Sequence, residues 1–188
     1  IQYLVDGIDI DSQALDMYVG SKVAPGGYLW IFPKSDKSAN IGLAISGKYS
    51  RNKSAKTYLD EFINYRFPKS TIIKKLTGGI PVPKPIDKPI KNGLILVGDA
   101  AHHINPLTGG GIASAMKSGM YAGRIAAEVI DNPSEKELNK YIKLINKDFI
   151  KRHRILYNIK EAISKLSDSD YDKIALGVSK IPQSKLTL

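Results

Sequence analysis

A short apolar segment that leads into a glycine-rich loop constrains the fold of this chain more than any other feature. Residues 93–98 read Gly-Leu-Ile-Leu-Val-Gly, as expected for a strand buried on both faces. After the loop, residues 112–130 are rich in alanine and other small residues, which predicts a buried helix packed closely against its neighbours. A strand followed by a helix is an α/β unit, and its connecting loop is where open α/β sheets bind ligands.

The first 46 residues differ in character and predict an antiparallel sheet. Turn dipeptides and tripeptides such as Asp6-Gly7 and Pro25-Gly26-Gly27 separate short runs of β-branched and aromatic residues. Strands that follow one another through short turns pair in the antiparallel sense. The strand candidates are residues 1–5, 16–23, 28–32 and 40–45.

Helices dominate the remainder. Ser54 predicts the cap of a helix over about residues 55–66, and β structure restarts near residue 71. The four prolines within residues 78–93 predict an extended crossing segment. Ser134 and Glu137 have the spacing of a capping box, and Ser167 predicts the cap of a last helix. The fold class is therefore α+β, with an antiparallel sheet domain at 1–90, a strand–helix unit at 91–130 and C-terminal helices at 131–188.

The composition narrows the function classes. The 188 residues contain no cysteine, so this chain can supply no disulfide, thiolate nucleophile or cysteine-ligated metal. The net charge is +10, but only five of the 28 basic residues are arginine, so the charge argues against sequence-specific recognition of a nucleic acid, and we expect no nucleic-acid partner. The sequence starts Ile-Gln-Tyr-Leu, without methionine or a signal peptide, so we expect a piece of a longer, cytoplasmic protein.

The loop after the apolar run holds the most specific motif. Asp99 stands at the carboxyl edge of the predicted strand, and Pro106 stiffens the loop. Three glycines then open the next helix, so that free backbone N–H groups and the positive helix end can face an anionic or electron-rich ligand. The glycines alone would also fit an ordinary strand–helix turn.

The complete string from Gly98 to Ile112 resembles the second flavin-contacting motif of the flavoproteins that include p-hydroxybenzoate hydroxylase and the geranylgeranyl reductases. The resemblance implies that the strand–helix unit belongs to a Rossmann-like FAD-binding domain. It also implies that the aspartate binds the ribityl chain of FAD and that the following segment lines the isoalloxazine. These cofactor-binding roles fall on Asp99, Pro106, Gly109, Gly110, Gly111 and Ile112.

A second string is similar to the Tyr-x-Trp-x-Phe-Pro…Gly-x-Gly signature of the geranylgeranyl reductases, with Ala44 in place of the last glycine. In that family the aromatic strand lines the tunnel for the isoprenoid. Alternate residues of a strand share one face, so the three aromatic side chains could also be an ordinary core face. The resemblance implies substrate binding by Tyr28, Trp30, Phe32, Pro33 and Gly42, and it covers most of residues 1–130.

The family also has a Gly-x-Gly-x-x-Gly string that binds the FAD pyrophosphate, and this sequence lacks one. We therefore expect a missing N-terminal flavin-binding segment, and only weak FAD binding, or none, by the 188-residue chain. The sequence does not identify the electron donor, which could be NAD(P)H or another reductant.

Two side chains are candidates for the catalytic proton donor, His102 beside the flavin motif and Tyr28 in the aromatic string. Packing of the loop is the alternative role for His102. His102 and His103 are adjacent and tend to point apart, so we expect no shared metal ion.

Lysines recur along one face of the helix after Ser134, and this face could contact an anionic membrane or simply face solvent. Peripheral membrane contact by a cytoplasmic protein is thus one expectation from the charge.

The sequence as a whole predicts a fragment of an FAD-dependent reductase that saturates geranylgeranyl double bonds in archaeal lipid biosynthesis. One alternative is an FAD-dependent aromatic monooxygenase or halogenase, because the flavin motif is common to these enzymes. Another is a basic module that binds lipid or nucleic acid without catalysis. That last reading leaves the string from Gly98 to Ile112 unexplained.

Overall fold

The computed structural model describes residues 1–182, and the chain divides into two compact units. The first unit contains Ile1–Gly78 and residues 166–182, and the second contains Gly79–Lys165. The predicted α+β class is confirmed, whereas the three-part division at residues 90 and 130 does not coincide with these units. Among residues 1–182, no helix has both the length and the apolar character needed to cross a bilayer.

A five-stranded sheet forms the body of the first unit, and all of its neighbouring strands are antiparallel. The spatial order is β2-β3-β4-β1-β5, so the antiparallel sheet predicted for the first 46 residues is confirmed. The strands are β1 (Gln2–Asp6), β2 (Asp16–Tyr18), β3 (Tyr28–Ser35), β4 (Ser38–Ala44) and β5 (Thr71–Leu76).

Strand alternation gives this sheet one core face. Helix α1 (Ala55–Arg66) starts at the predicted cap, where the Ser54 side chain accepts a hydrogen bond from the Thr57 N–H. The helix buries Leu59 and Ile63 in the same cluster as the core face of the sheet. The sheet residues of that cluster are completely or almost completely buried: Tyr3, Val5, Leu29, Ile31, Ala39, Ile41 and Leu43.

Helix α5 (Asp168–Ser179) joins the first unit through a polar contact. The Asp168 carboxylate accepts hydrogen bonds from the Ser21 N–H and hydroxyl, both at 2.7 Å. The helix starts with a complete capping box. The Ser167 side chain accepts a hydrogen bond from the Asp170 N–H, and the Asp170 carboxylate accepts one from the Ser167 N–H. None of the residues of α5 is buried.

The second unit contains a small hairpin and three long helices. Strands β6 (Ile90–Lys91) and β7 (Leu94–Ile95) pair antiparallel, and a 3-10 turn, Gly98–Ala101, follows them. The helices are α2 (Ile112–Glu128), α3 (Glu135–Ile145) and α4 (Lys151–Ile163), and a π-helical segment at Asn146–Ile150 joins α3 to α4.

The start of α3 confirms the predicted cap only in part. The Ser134 side chain accepts a hydrogen bond from the Glu137 N–H, as predicted. The Glu137 carboxylate, however, pairs with Lys140 at 2.9 Å. The reciprocal half of the capping box is therefore not formed at this helix.

Two predictions about the strand–helix unit are wrong in this structure. Strand β7 is only two residues long, and Leu94 is 50% exposed, because among the described residues its one ladder partner is β6. Helix α2 buries a single face, through Ser114, Ser118 and Ile125. Its opposite face exposes apolar side chains, including Ile112, which is 81% accessible.

The proline-rich segment belongs to the second unit because its hydrogen bonds go there. The Ile86 N–H donates to the Ala101 carbonyl, and the Lys160 ammonium donates to the Val82 carbonyl. Arg154 on α4 also pairs with Asp87 at 2.7 Å. These contacts explain why the boundary lies near residue 78 and not at residue 90.

Leu59 is the side chain on α1 whose removal we expect to cost most, because it is completely buried against the sheet. Leu59→Ala should lower the free energy of unfolding by about 2–5 kcal/mol, measured by urea denaturation. Tyr65, which is 87% exposed on the same helix, is the matched control. Tyr65→Ala should change that value by less than about 0.5 kcal/mol, and equal losses from both variants would contradict this packing.

Candidate functional site

The loop from Gly98 to Ile112 is built on backbone hydrogen bonds that start at the 3-10 turn. Gly98 and His102 both have positive φ values of 54°, and the His103 N–H donates to the Gly98 carbonyl at 2.9 Å. A non-glycine residue with positive φ is uncommon and marks a constrained position. This turn leaves Asp99 exposed at the surface.

Asn105 organises the middle of the loop, although sequence reasoning gave it no role. Its side-chain oxygen accepts hydrogen bonds from the Leu107 N–H at 3.0 Å and the Thr108 N–H at 3.3 Å. Its backbone N–H donates to the Gly110 carbonyl, and its carbonyl accepts from the Gly109 N–H, both at 2.9 Å. The Asn-Pro dipeptide was the available signal, because asparagine before proline favours the start of a turn.

Two glycines of the loop occupy positions that suit a residue without a Cβ atom. Gly109 has φ of +72°, a conformation that other residues rarely adopt. A Cβ atom on Gly111 would lie 3.0 Å from the Ile104 side chain and 3.4 Å from the Asp99 carboxylate. Asp99 and Gly111 are therefore neighbours in space, which brings the two ends of the predicted flavin motif together.

The start of α2 has no capping side chain. Gly111 is the N-cap and provides no side-chain hydrogen bond, and the first turn contains no acidic residue. The first N–H groups of a helix have no intrahelical acceptor, so they present a partial positive charge. Gly110 and Ile112 are exposed beside them, whereas Pro106 is buried beneath the loop. Pro106 is thus the one buried residue among the six predicted cofactor residues.

Two buried serines on α2, which sequence reasoning did not single out, fasten the helix to the loop. The Ser118 hydroxyl accepts the Gly98 N–H at 3.1 Å. The single hydrogen of the Ser114 hydroxyl is shared between the His103 carbonyl and, at 3.1 Å, the Gly111 carbonyl. Their signal in the sequence is the spacing of four, which places both on one face of the helix.

The two adjacent histidines have different environments. His102 is half-buried, and its ring Nδ1 lies 3.2 Å from the Lys84 carbonyl, to which it donates. His103 is completely buried, and neither of its ring nitrogens has a hydrogen-bond partner among the described residues. Burial is the main cause that lowers the pKa of His103 to about 4. Of the pair, only His102 has an accessible side chain.

Three of the five predicted substrate residues, Tyr28, Trp30 and Phe32, lie in the first unit on the sheet face opposite α1. The Trp30 ring stacks on Phe32 with centroids 6.0 Å apart, and its centroid is 5.7 Å from that of Tyr28. Burial raises the pKa of Tyr28, which keeps this phenol protonated at neutral pH. The three rings form a continuous apolar wall.

The remaining predicted substrate residues do not form this wall. Gly42 lies beneath it, because a Cβ atom there would be 2.5 Å from Cζ2 of Trp30. Pro33 alternates with Phe32 along β3 and so occupies a position on the core face. Next to Ala44, which replaces the last glycine of the signature, the backbone of Gly27 approaches closely: a Cβ atom on Gly27 would collide with the Ala44 carbonyl.

Comparison with known proteins identifies close relatives. The model of the geranylgeranyl reductase catalytic domain matches residues 1–80. A digeranylgeranylglycerophospholipid reductase of Methanococcoides burtonii is 44% identical over all of this chain, and one of Thermoplasma acidophilum is 42% identical over 93% of it. The chain covers 46% and 45% of those two proteins. It thus spans about half the length of the curated relatives it matches.

Comparison with solved structures points to the same family. A geranylgeranyl bacteriochlorophyll reductase-like protein of Thermoplasma acidophilum is 39% identical and superposes with a TM-score of 0.91 over all of this chain and 48% of its own. A flavin-dependent brominase superposes with a TM-score of 0.58 at 17% identity over 77% of this chain and 39% of its own, which shows likeness of fold alone.

The buried histidines predict a stability that depends on pH. Unfolded histidine titrates near 6.5, whereas the pKa of folded His103 is about 4, so the unfolded chain binds more protons between these values. The free energy of unfolding should therefore fall as the pH is lowered from about 6.5 toward about 4. Urea denaturation across this range measures the effect.

Burial also lowers the pKa of His153, so both rings contribute to the fall in stability. His103→Leu should make the dependence on pH shallower, and the double variant with His153→Leu should make it shallower still. An equal fall in the wild type and the double variant would contradict the assignment.

Proposed function

Since the chain belongs to the geranylgeranyl reductase family, we propose that it is part of a longer FAD-dependent reductase that saturates isoprenoid double bonds. The proposed substrate carries geranylgeranyl chains on a glycerophospholipid, as the names of the relatives indicate for those proteins. The part of the reductase seen here supplies one wall of the flavin site and the apolar wall for the isoprenoid. The rest of the flavin site is assigned to the remaining half of the longer protein.

The observation that carries this proposal is the cradle formed by Asp99, Gly111 and the open start of α2. A flavin ring is flat and becomes negatively charged on reduction, so it needs close backbone approach without Cβ atoms and a positive partial charge. The missing Cβ of Gly111 and the uncapped first turn meet both requirements. The residues present therefore fit the cofactor that the family implies.

In this assignment the cofactor, when bound, supplies hydride to a carbon of the isoprenoid double bond. Asp99 accepts hydrogen bonds from the hydroxyls of the ribityl chain. The first N–H groups of α2 stabilise negative charge on the ring edge, and Gly110 and Gly111 allow the approach. The Tyr28, Trp30 and Phe32 rings hold the apolar chain and exclude water, so that this part of the protein acts mainly through positioning.

The proton that completes saturation requires a donor, and two side chains are proposed for it. His102 keeps its Nδ1–H on the Lys84 carbonyl, so its Nε2 atom is the one available to hold and deliver a proton. The phenol of Tyr28 is the other candidate, because it is protonated at neutral pH and belongs to the aromatic wall proposed to hold the substrate. Replacing each with phenylalanine in turn would show which variant loses turnover.

Anaerobic turnover by the full-length protein tests the proposed function. The flavin is reduced chemically, digeranylgeranylglycerophospholipid is added, and the mass of the product is measured. A gain of two hydrogens per reduced bond is the expected result. A product without added hydrogen, or hydroxylation of an aromatic compound under air, would overturn the proposal in favour of a monooxygenase.

Removal of the Asp99 carboxylate should weaken binding of the flavin by the full-length protein. Loss of hydrogen bonds to a charged group predicts a loss of affinity of about 10- to 100-fold for Asp99→Ala, measured by fluorescence titration of FAD. Asp87, an exposed aspartate of the same unit that pairs with Arg154, is the matched control. Equal affinity in the Asp99→Ala and Asp87→Ala proteins would contradict the role of Asp99.

Contact with an anionic membrane is a second proposal, carried by exposed side chains along α3, the π-helical segment and α4. Lys143, Lys147 and Lys151 are exposed, and none forms an ion pair among the described residues. Exposed Ile155 and Ile159 follow at the same spacing of four on α4. Cations beside exposed apolar side chains suit the surface of an anionic bilayer.

Each lysine near a charged bilayer contributes about 1 kcal/mol, so replacing Lys143, Lys147 and Lys151 with glutamine should weaken binding by about 100-fold. Flotation with phosphatidylserine vesicles measures the bound fraction, which should also fall with added salt. The control replaces three other exposed lysines, Lys22, Lys69 and Lys91, with glutamine, so the two triple variants have the same net charge. Identical binding by both triple variants would contradict this surface.

A further inference from the structure

The indole of Trp30 is held in one position by groups from three strands. Trp30 on β3 lies opposite Gly42 on β4, and Gly42 lies opposite Gln2 on β1. Cross-strand partners share a face of the sheet, so these residues form one row across it. The indole extends over Gly42 toward Gln2, because a Cβ at Gly42 would lie 2.5 Å from Cζ2 and 2.7 Å from Cε2 of the ring.

Gln2 completes this arrangement by accepting the single polar hydrogen of the ring. The indole Nε1–H donates to Oε1 of Gln2 at 3.1 Å in a half-buried environment. An indole is a donor only, and a half-buried donor without an acceptor loses free energy. Without the Gln2 carbonyl, the N–H would have to turn toward water, away from the Gly42 backbone.

The rings that flank Trp30 depend on the same placement. Phe32 stacks on the indole with an interplanar angle of 25°, and Tyr28 is tilted by 58° on the other side. Rotation of the indole would separate both contacts, so the shape of the whole wall follows from the position of one ring. The sequence signature includes the aromatic residues and Gly42 but not Gln2.

We propose that Gln2 is the positioning residue of the aromatic wall, fixing the Trp30 indole over Gly42 so that Tyr28, Trp30 and Phe32 present one continuous surface to a polyprenyl chain. The choice of a polyprenyl chain as the occupant rests on the proposed function. The placement of the indole by Gln2 rests on the hydrogen bond and the Gly42 contact alone. Gln2 touches Trp30 and acts on the ligand only through that ring.

Trp30 is the only tryptophan of the 188-residue chain, so tryptophan emission reports this ring directly. Gln2→Leu removes the acceptor with little change in size, and Gln2→Glu retains an oxygen acceptor. Gln13, which is exposed, is the matched control as Gln13→Leu. Emission maximum and anisotropy are measured first without ligand, and far-UV circular dichroism confirms that each variant is folded.

Without ligand, Gln2→Leu should shift the emission to longer wavelength and lower its anisotropy, while Gln2→Glu and Gln13→Leu should resemble the wild type. Geranylgeraniol delivered from phosphatidylcholine vesicles should then bind Gln2→Leu about three- to tenfold more weakly than the wild type, the equivalent of one lost hydrogen bond. Restored affinity in Gln2→Glu would identify the acceptor as the cause.

The two parts of the inference fail in different ways. Unchanged emission and anisotropy in a folded Gln2→Leu variant would overturn the positioning role, whether or not geranylgeraniol binds. A changed emission together with no effect of geranylgeraniol on the wild type would overturn the polyprenyl occupant and the proposed substrate, and would leave the positioning of Trp30 by Gln2 supported.

Discussion

Two buried hydroxyl groups on α2 hold the loop on which the candidate flavin site depends. Ser118 accepts the Gly98 N–H, and Ser114 donates to the His103 carbonyl, so the two ends of the segment Gly98–His103 are fastened to one helix face. Buried backbone groups without partners would cost free energy, and the serines satisfy them at the point where the 3-10 turn leaves them free. Asp99 projects from a turn whose position is fixed in this way, and it lies next to Gly111 at the start of the same helix.

The candidate substrate wall has a different origin, in the alternation of a single strand. Leu29 and Ile31 of β3 enter the core against α1, which obliges Tyr28, Trp30 and Phe32 to occupy the opposite face. Burial of Leu29 and Ile31 thus fixes the direction in which the aromatic side chains point, although those aromatic side chains are not part of the core. Gly42 and Gln2 then determine how the central ring lies on that face.

Features that depend on neighbours in sequence were predictable, and features that depend on distant partners were not. The Ser54 cap and the antiparallel pairing of β3 with β4 follow from signals within a few residues, whereas the pairing of β1 with β4 and β5 does not. Burial of residues 93–98 on both faces was wrong, since it requires neighbouring strands on each side and β7 has one among the described residues. Asn105 and the two serines escaped notice because their hydrogen bonds become visible only when the loop is folded.

The π-helical segment between α3 and α4 contacts the Gly98–Ile112 loop through a buried histidine, and burial of that histidine costs free energy. It buries Phe149, whose ring lies 5.3 Å from both His103 and His153. A buried imidazole without a hydrogen-bond partner is unfavourable, so aromatic packing must offset the desolvation of His103. This contact holds only while the ring is neutral, because burying an unpaired charge would cost far more. The loop that presents Asp99 is therefore held against the helical region by the packing of His103 on Phe149, which is stable at neutral pH and weakened by acid.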